Sequence, residues 1–249
     1  ILIIRAALIQ LNKRSGGFNL NIKFLSEPLT KFFYMVNGGI HTIIPINDLS
    51  YGLAIIVFTI IVRIILLPLS VKQLRSTAKM GAIQPEMKKV QAKYKSDPQK
   101  AQQEVMKLYK ENGVNPMGGC LPMIVQMPIL FSLYYVFQNI NMQGAGFIHI
   151  WIPDLTKADP LYILPILSTV TTYFSSKLMQ PPSTDGSSNK QTSTMNTAMA
   201  VFMGFMSLKF KSALVLYWVT NNLIQIVQTI VINKIELNKK VDEVVPSKK

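Results

Sequence analysis

The sequence predicts an all-α, polytopic membrane protein: five transmembrane helices with an N-terminal interfacial helix and a cytoplasmic helical hairpin. Three observations predict it. First, 249 residues that are 49% hydrophobic and only 15% charged, with a mean hydropathy of +0.28, are too apolar for a water-soluble domain of this size. Second, the apolar residues gather in runs, at 51–69, 121–140, 161–178, 195–208 and 213–232. Third, 26 Lys and Arg against 12 Asp and Glu leave a net charge of +14, which so apolar a chain must concentrate in a few places. Because long apolar runs accompany the bases, anionic lipid headgroups and the positive-inside bias explain them better than nucleic acid does. The single cysteine, Cys120, excludes an internal disulfide framework and a cysteine-built metal site, and His41 and His149 make no cluster with it. No metal and no cofactor is expected.

Residues 1–23 open with an apolar run at 1–11 followed by Asn12, Lys13 and Arg14, too short for a bilayer that takes about 20 residues to cross. They are expected to be a processed or disordered segment without a functional role. Residues 24–50 carry Phe24, Leu25, Leu29, Phe32, Phe33, Val36 and Ile40 at near-helical spacing, with Glu27 and Lys31 on the other side, the pattern of an amphipathic helix lying in the interface plane. Residues 51–71 hold the first span and 119–233 the other four. The run at 195–208 is short, a mismatch that costs only fractions of a kcal/mol per Å. Residues 234–249 form a basic tail with Lys234, Lys239, Lys240, Lys248 and Lys249.

Between the first two spans, residues 72–118 are the most charged part of the chain, with ten Lys or Arg against four acids between 72 and 116. The positive-inside rule makes this loop cytoplasmic, so five spans put the amino terminus outside and the basic tail inside. The outer loop at 141–160 has the single Lys157, and Trp151 suits the headgroup level. Arg5, Lys13, Arg14, Lys23 and Lys31 dissent. Within the loop, Pro85 suits a first helical turn and Met87, Val90 and Tyr94 form a stripe. Ser96 and Asp97 before Pro98 start a second helix whose Ala101, Val105, Leu108 and Tyr109 match it, closed by Asn112 and Gly113. The hairpin's outer faces carry Lys88, Lys89, Lys93, Lys95, Lys100, Lys107 and Lys110. They read either as a solvated face that sets topology or as a docking surface for acidic lipid, ribosomal RNA or a partner protein.

Several polar groups stand where hydrocarbon is expected. Arg63 lies inside the first span, six residues before Leu69 and so roughly 9 Å from the boundary. An arginine there costs about 2.5 to 3.5 kcal/mol on insertion scales and stays ionised. It either snorkels to the cytoplasmic headgroups or needs water, an anion or a polar wall. In the last span Tyr217, Asn221, Gln225 and Gln228 share one face. Gln126 stands in the second span, and Ser168, Thr169, Thr171, Thr172, Tyr173, Ser175 and Ser176 in the third. Such residues are either interhelical hydrogen bonds in a dry bundle or the lining of a wet cavity facing the cytoplasm, with Arg63 as its fixed positive charge. No Ser/His/Asp set, paired acids within a span, Gly-rich phosphate loop or metal-ligand spacing points to an enzyme.

The run Leu67-Pro-Leu-Ser-Val-Lys-Gln73, then Lys79-Met80, Gln84-Pro-Glu86, Lys93-Tyr-Lys-Ser-Asp97, Leu108-Tyr-Lys110, Asn115-Pro-Met-Gly-Gly-Cys-Leu-Pro122 and Gln126-Met-Pro-Ile129 closely resembles the YidC/Oxa/Albino membrane protein insertases. Leu216-Tyr-Trp218 with Asn221-Asn222 fits the same family, and the Gly-Gly-Cys-Leu-Pro form looks like its compact bacterial branch, typical of Gram-positive species. The resemblance adds a hydrophilic groove to the five spans: it implies that they surround a groove closed to the outside and open to cytoplasm and lipid, with a mobile cytoplasmic hairpin. Arg63 matches the groove arginine, Gln126 the motif glutamine, and Tyr217 with Trp218 falls where family members contact substrate. Thr172, Asn221 and Gln225 are expected in the same groove.

Insertion and chaperoning of membrane proteins at the bacterial plasma membrane without nucleotide hydrolysis is the implied function. The implied partners are nascent membrane proteins, the Sec translocon, the ribosome and anionic lipids. Lys88, Lys89, Lys93, Lys95, Lys100 and Lys107 would dock the ribosome or a partner. The substrate's apolar segment is expected to slide along the third and last spans. A small anion channel or transporter and a structural assembly factor are the rival readings. The chain departs from the family at Lys211-Ser212-Ala213, where a Pro-Ser/Ala-Gly turn is common.

Overall fold

The computed structural model of the chain describes residues 22–114, 121–139, 145–148, 151–179 and 188–244, so the expectations for 1–21, Cys120 and His149 lie outside the described residues. In chain order the helices are α1 (Ile22–Ile43), α2 (Asn47–Ile65), α3 (Leu67–Ala82), α4 (Gln84–Lys93), α5 (Pro98–Glu111), α6 (Leu121–Asn139), α7 (Ile163–Met179), α8 (Ser188–Ser207) and α9 (Ser212–Val244). Among the described residues the extended structure is one isolated antiparallel bridge between Phe147 and Ile152.

One boundary differs from the sequence reading. The first span was expected to run to residue 71, but α2 ends at Ile65 and α3 leaves it at 63°. Pro68 stands in the first turn of α3, where its missing N–H and its ring are best tolerated. Beyond the apolar segment, α9 runs on through basic residues of the tail to Val244. The segment 212–235 is long and apolar enough to cross a membrane alone, and α2 with α3 passes the same measure as a bent pair. The 17 residues of α7 reach about 25 Å, short of the roughly 30 Å of a hydrocarbon core.

α9 is the hub. It packs on α7, on α2 and more lightly on α6, while α8 lies on α7, and α1 lies on both α2 and α6. The stripe read from the sequence seats α1: Phe33 is fully buried beside Phe58 and Phe137, with Leu29, Phe32, Val36 and Ile40 packed around them. In α7 the polarity runs opposite to that of a soluble protein. Ser168, Thr171, Thr172 and Ser175 are buried, and Ile166, Leu167, Val170 and Phe174 are exposed. α9 repeats the arrangement, with Asn221, Asn222 and Thr229 inside and Leu223, Val227, Ile230 and Val231 outside. An apolar exterior over a hydrogen-bonded interior suits hydrocarbon as the solvent.

The hairpin, α4 with α5, touches the rest chiefly through α3. The start and stop signals act as read: Asp97 accepts from the Lys100 N–H at 3.0 Å, and Gly113 takes φ +60° while the Val114 N–H returns to the Tyr109 carbonyl at 2.9 Å. Ile83, Tyr109 and Val114 form its small core with Met80, Met87 and Val105, and burial pushes the Tyr109 phenol above its usual range.

Candidate functional site

Along α2, Ile55, Thr59 and Arg63 recur every four residues. The first two are fully buried, so the same face carries Arg63 inward, to 8% exposure, while Ile60, Ile64 and Ile65 face out. Opposite lies the amide stripe of α9. Arg63 Nε donates to Asn221 Oδ1 at 2.6 Å, and Nη2 donates to Gln225 Oε1 at 2.9 Å and to the Asn221 carbonyl at 3.3 Å. Gln228 Nε2 donates back to the Arg63 carbonyl at 3.4 Å. These three partners are neutral amides, and among the described residues no carboxylate pairs with Arg63. A guanidinium stays protonated at any ordinary pH, so the site keeps a whole positive charge that dipoles solvate but do not cancel.

The other expected residues join α9 to its remaining neighbours. Gln126 Nε2 on α6 donates to the Tyr217 hydroxyl at 2.9 Å. Trp218 Nε1 donates to Thr172 Oγ1 on α7 at 3.0 Å, where Asn222 Nδ2 donates to the same oxygen at 2.9 Å and to Thr171 Oγ1 at 3.3 Å. Gln225 Nε2 contacts the Met179 sulfur, and the Ser168 and Ser207 hydroxyls share a bond of 3.1 Å between α7 and α8. The seven residues expected in the groove fall into three separate groups along α9: Arg63 with Asn221 and Gln225, Gln126 with Tyr217, and Trp218 with Thr172. Thr171 and Asn222, named in the sequence only as a polar residue of the third span and as part of a motif, join these contacts, and Met179 was not singled out at all. The adjacent pair Asn221-Asn222 carried the signal, because neighbours on a helix face different partners.

Of the surroundings the sequence left open for Arg63, a polar wall is present, with the Asn221 and Gln225 side chains at hydrogen-bond distance. The inner, polar face of α7 is engaged by α8 and α9, and its outer face, like that of α9, is apolar and exposed. An apolar hollow, partly open to the surface, lies between α6 and α8 with α9 as its floor, lined among others by Tyr134, Tyr135, Met203, Phe210, Leu214 and Trp218. On the hairpin, Lys89, Lys93, Lys95, Lys100 and Lys107 are exposed and Lys88 is partly buried. Lys93 and Lys100 stand 5.4 and 5.2 Å from the centre of the Tyr94 ring, and Lys107 makes a loose, exposed pair with Glu111 at 3.9 Å. No group of three His, Cys, Asp or Glu side chains that could hold a metal forms among the described residues.

A helical membrane protein with a cation fixed by amides between two helices is the class that this fold and site define. The sequence pattern of the 60Kd inner membrane protein family matches residues 42–240, and the chain belongs to that family. A protein of Clostridium perfringens (strain 13 / Type A) named membrane protein insertase YidC is 49% identical over 227 residues, covering 87% of this chain and 94% of its own. A namesake from Helicobacter pylori (strain ATCC 700392 / 26695) is 42% identical over 192 residues, covering 77% of this chain and 34% of its own. The fold is similar to that of a crystal structure described as active YidC insertase with the first transmembrane domain resolved, at a TM-score of 0.64 and 31% identity. That match covers 90% of this chain and 50% of the other, so the chain spans about half the length of the solved protein.

Proposed function

We propose that this chain is a membrane protein insertase and folding chaperone, moving single-span or short-tailed proteins from the cytoplasm into the bacterial plasma membrane without nucleotide hydrolysis. The observation that carries this reading is the uncancelled charge of Arg63 among neutral amides. A carboxylate at about 4 Å is attracted by roughly 4 kcal/mol at an effective dielectric near 20, against about 1 kcal/mol in water. An acidic tail arriving at α9 takes over the guanidinium donors that Asn221 and Gln225 hold at rest, and the amides turn to solvate the tail. Hydrophobic partition of the following apolar segment then drives the transfer to completion. Five spans with the amino terminus outside place the lysine-rich hairpin on the side where nascent chains, the ribosome or a Sec translocon would be met, and anionic headgroups would hold it there.

A second reading, a structural assembly factor, is favoured by how fully the α9 side chains are used between helices. One experiment separates the two. The purified chain is reconstituted in liposomes, and protection of an acidic-tailed single-span substrate from external protease is read beside the chain's own thermal unfolding. Arg63→Lys should keep most protection. Arg63→Gln keeps an amide that can bond Asn221 and should keep the fold but lose protection, and Arg63→Glu should lose both. Protection equal in all of them removes Arg63 from the mechanism, and protection that only tracks stability supports the structural reading.

A further inference from the structure

The turn joining α8 to α9 carries Lys209 and Lys211 on either side of Phe210, and Phe210 lines the apolar cavity. Lys209 is exposed, and Lys211 Nζ donates to the Phe137 carbonyl at 3.2 Å, in the last turns of α6. The lysine thus reaches across from α9 to α6. Beneath it, the cavity lies among the start of α9 at Leu214 and Val215, the end of α8 at Met203 and Ser207, and the later turns of α6 at Tyr134 and Tyr135. Cavity and lysines therefore share one half of the bilayer thickness.

The two acids of the segment 151–162, which bonds the start of α9, are already engaged. Asp154 pairs with Lys157 at 3.2 Å and accepts from the Thr156 N–H and hydroxyl. Asp159 is buried, accepting from Trp151 Nε1 at 3.2 Å and from the Leu161 and Leu164 N–H groups. The first N–H groups of α9 are satisfied as well, Ser212 by the Lys157 carbonyl and Ala213 by the Leu155 carbonyl. Among the described residues neither Lys209 nor Lys211 pairs with a carboxylate. Two cations with no carboxylate partner among the described residues thus stand over an almost wholly apolar hollow flanked by two helices.

We propose that this is a seat for one anionic phospholipid. The phosphate lies against Lys209 and Lys211, and an acyl chain runs between α6 and α8 down to Trp218. The charge complementarity selects an anionic headgroup over a zwitterionic one, and the apolar lining selects a chain over any polar ligand. On the orientation proposed above the lipid belongs to the outer leaflet, where lysines otherwise run against the positive-inside bias. The site itself depends only on the membrane character of the fold and not on the insertion reading.

Tryptophan fluorescence tests it, because the chain has two tryptophans and Trp151→Phe leaves Trp218 as the only reporter. The chain is placed in phosphatidylcholine vesicles containing graded fractions of phosphatidylglycerol or phosphatidylcholine with brominated acyl chains. Brominated phosphatidylglycerol should quench Trp218 at about tenfold lower fraction than brominated phosphatidylcholine, the order expected of two lysines at an anionic headgroup. Lys209→Gln with Lys211→Gln should abolish the preference, and Lys209→Gln alone, which keeps the Lys211 contact to α6, should lose part of it. Lys88→Gln with Lys89→Gln should leave it intact. Equal quenching by the two lipids in the parent, or a preference that survives the double substitution, overturns the proposal. Quenching by neither lipid overturns it too, and leaves the cavity to a protein segment.

Discussion

Asn221 and Asn222 are adjacent in sequence, yet one accepts from Arg63 on α2 and the other donates to Thr171 and Thr172 on α7. The two bonds differ in what they leave behind when broken. Asn222→Leu strands neutral hydroxyls, which bond the carbonyls of their own helix as Thr171 does to Leu167, and should cost about 0.6 kcal/mol, the average for interhelical bonds in membranes. Asn221→Leu strands a buried cation and should cost about 1.5 to 3 kcal/mol. Unfolding by titrated denaturing detergent in mixed micelles measures both, and equal losses would contradict the charge-assisted role given to Asn221. The stripe of Tyr217, Asn221 and Gln225 is legible from helical spacing alone. Its partners are not, because which helix lies beside which is decided by the packing of segments 90 to 165 residues apart.

α8 is held against α7 by its small residues. Ala200 and Ser207 are buried, and a Cβ on Gly204 between them would fall on Thr169 Oγ1 and close to the Pro165 carbonyl. Gly204→Leu should therefore push α8 away from α7. A Ser168→Cys, Ser207→Cys pair in a Cys120→Ser background should form a disulfide in the parent, where the two hydroxyls share a bond of 3.1 Å, and fail to form one with Gly204→Leu. The hairpin offers a milder test. Asp97→Ala removes the cap of α5 and should cost about 1 kcal/mol, seen as faster amide exchange in the first turn of α5 and unchanged exchange in α9. The hairpin is the element most legible in the sequence, because Pro85, Asp97 and Gly113 act through the local backbone. At the far end of α9 residues 234–244 contain charges but no Gly or Pro, so nothing stops the helix. The bend between α2 and α3 is hidden in the sequence because Pro68 sits near the end of one apolar run and reads as part of it.

Across the whole molecule, the proposed orientation rests on the lysines of the hairpin and of the end of α9, against which Lys31, Lys209 and Lys211 run. Single cysteines at Lys157 and Lys107, in a Cys120→Ser background, test it with a membrane-impermeant maleimide. Lys157→Cys should label in intact cells and Lys107→Cys only after permeabilisation, and the reverse pattern would invert the topology. The membrane class and the polar interior were readable from composition and spacing. The cavity was not, since it forms where residues 130–135, 203–210 and 214–218 meet, and no local pattern in any one of them announces a hollow. A polar wall for Arg63 was one of the surroundings the sequence left open, but which amides supply it depends on the reach of two side chains from another helix.

The central claim is that an uncancelled positive charge at Arg63 draws a substrate's tail toward the membrane interior. It is tested most directly by varying the tail. Insertion rates are measured in liposomes for one single-span substrate whose tail carries acidic, neutral or basic residues, with the parent chain and with Arg63→Gln. Rates should rise with tail acidity in the parent and stay flat with Arg63→Gln. The same steep dependence in both would contradict it.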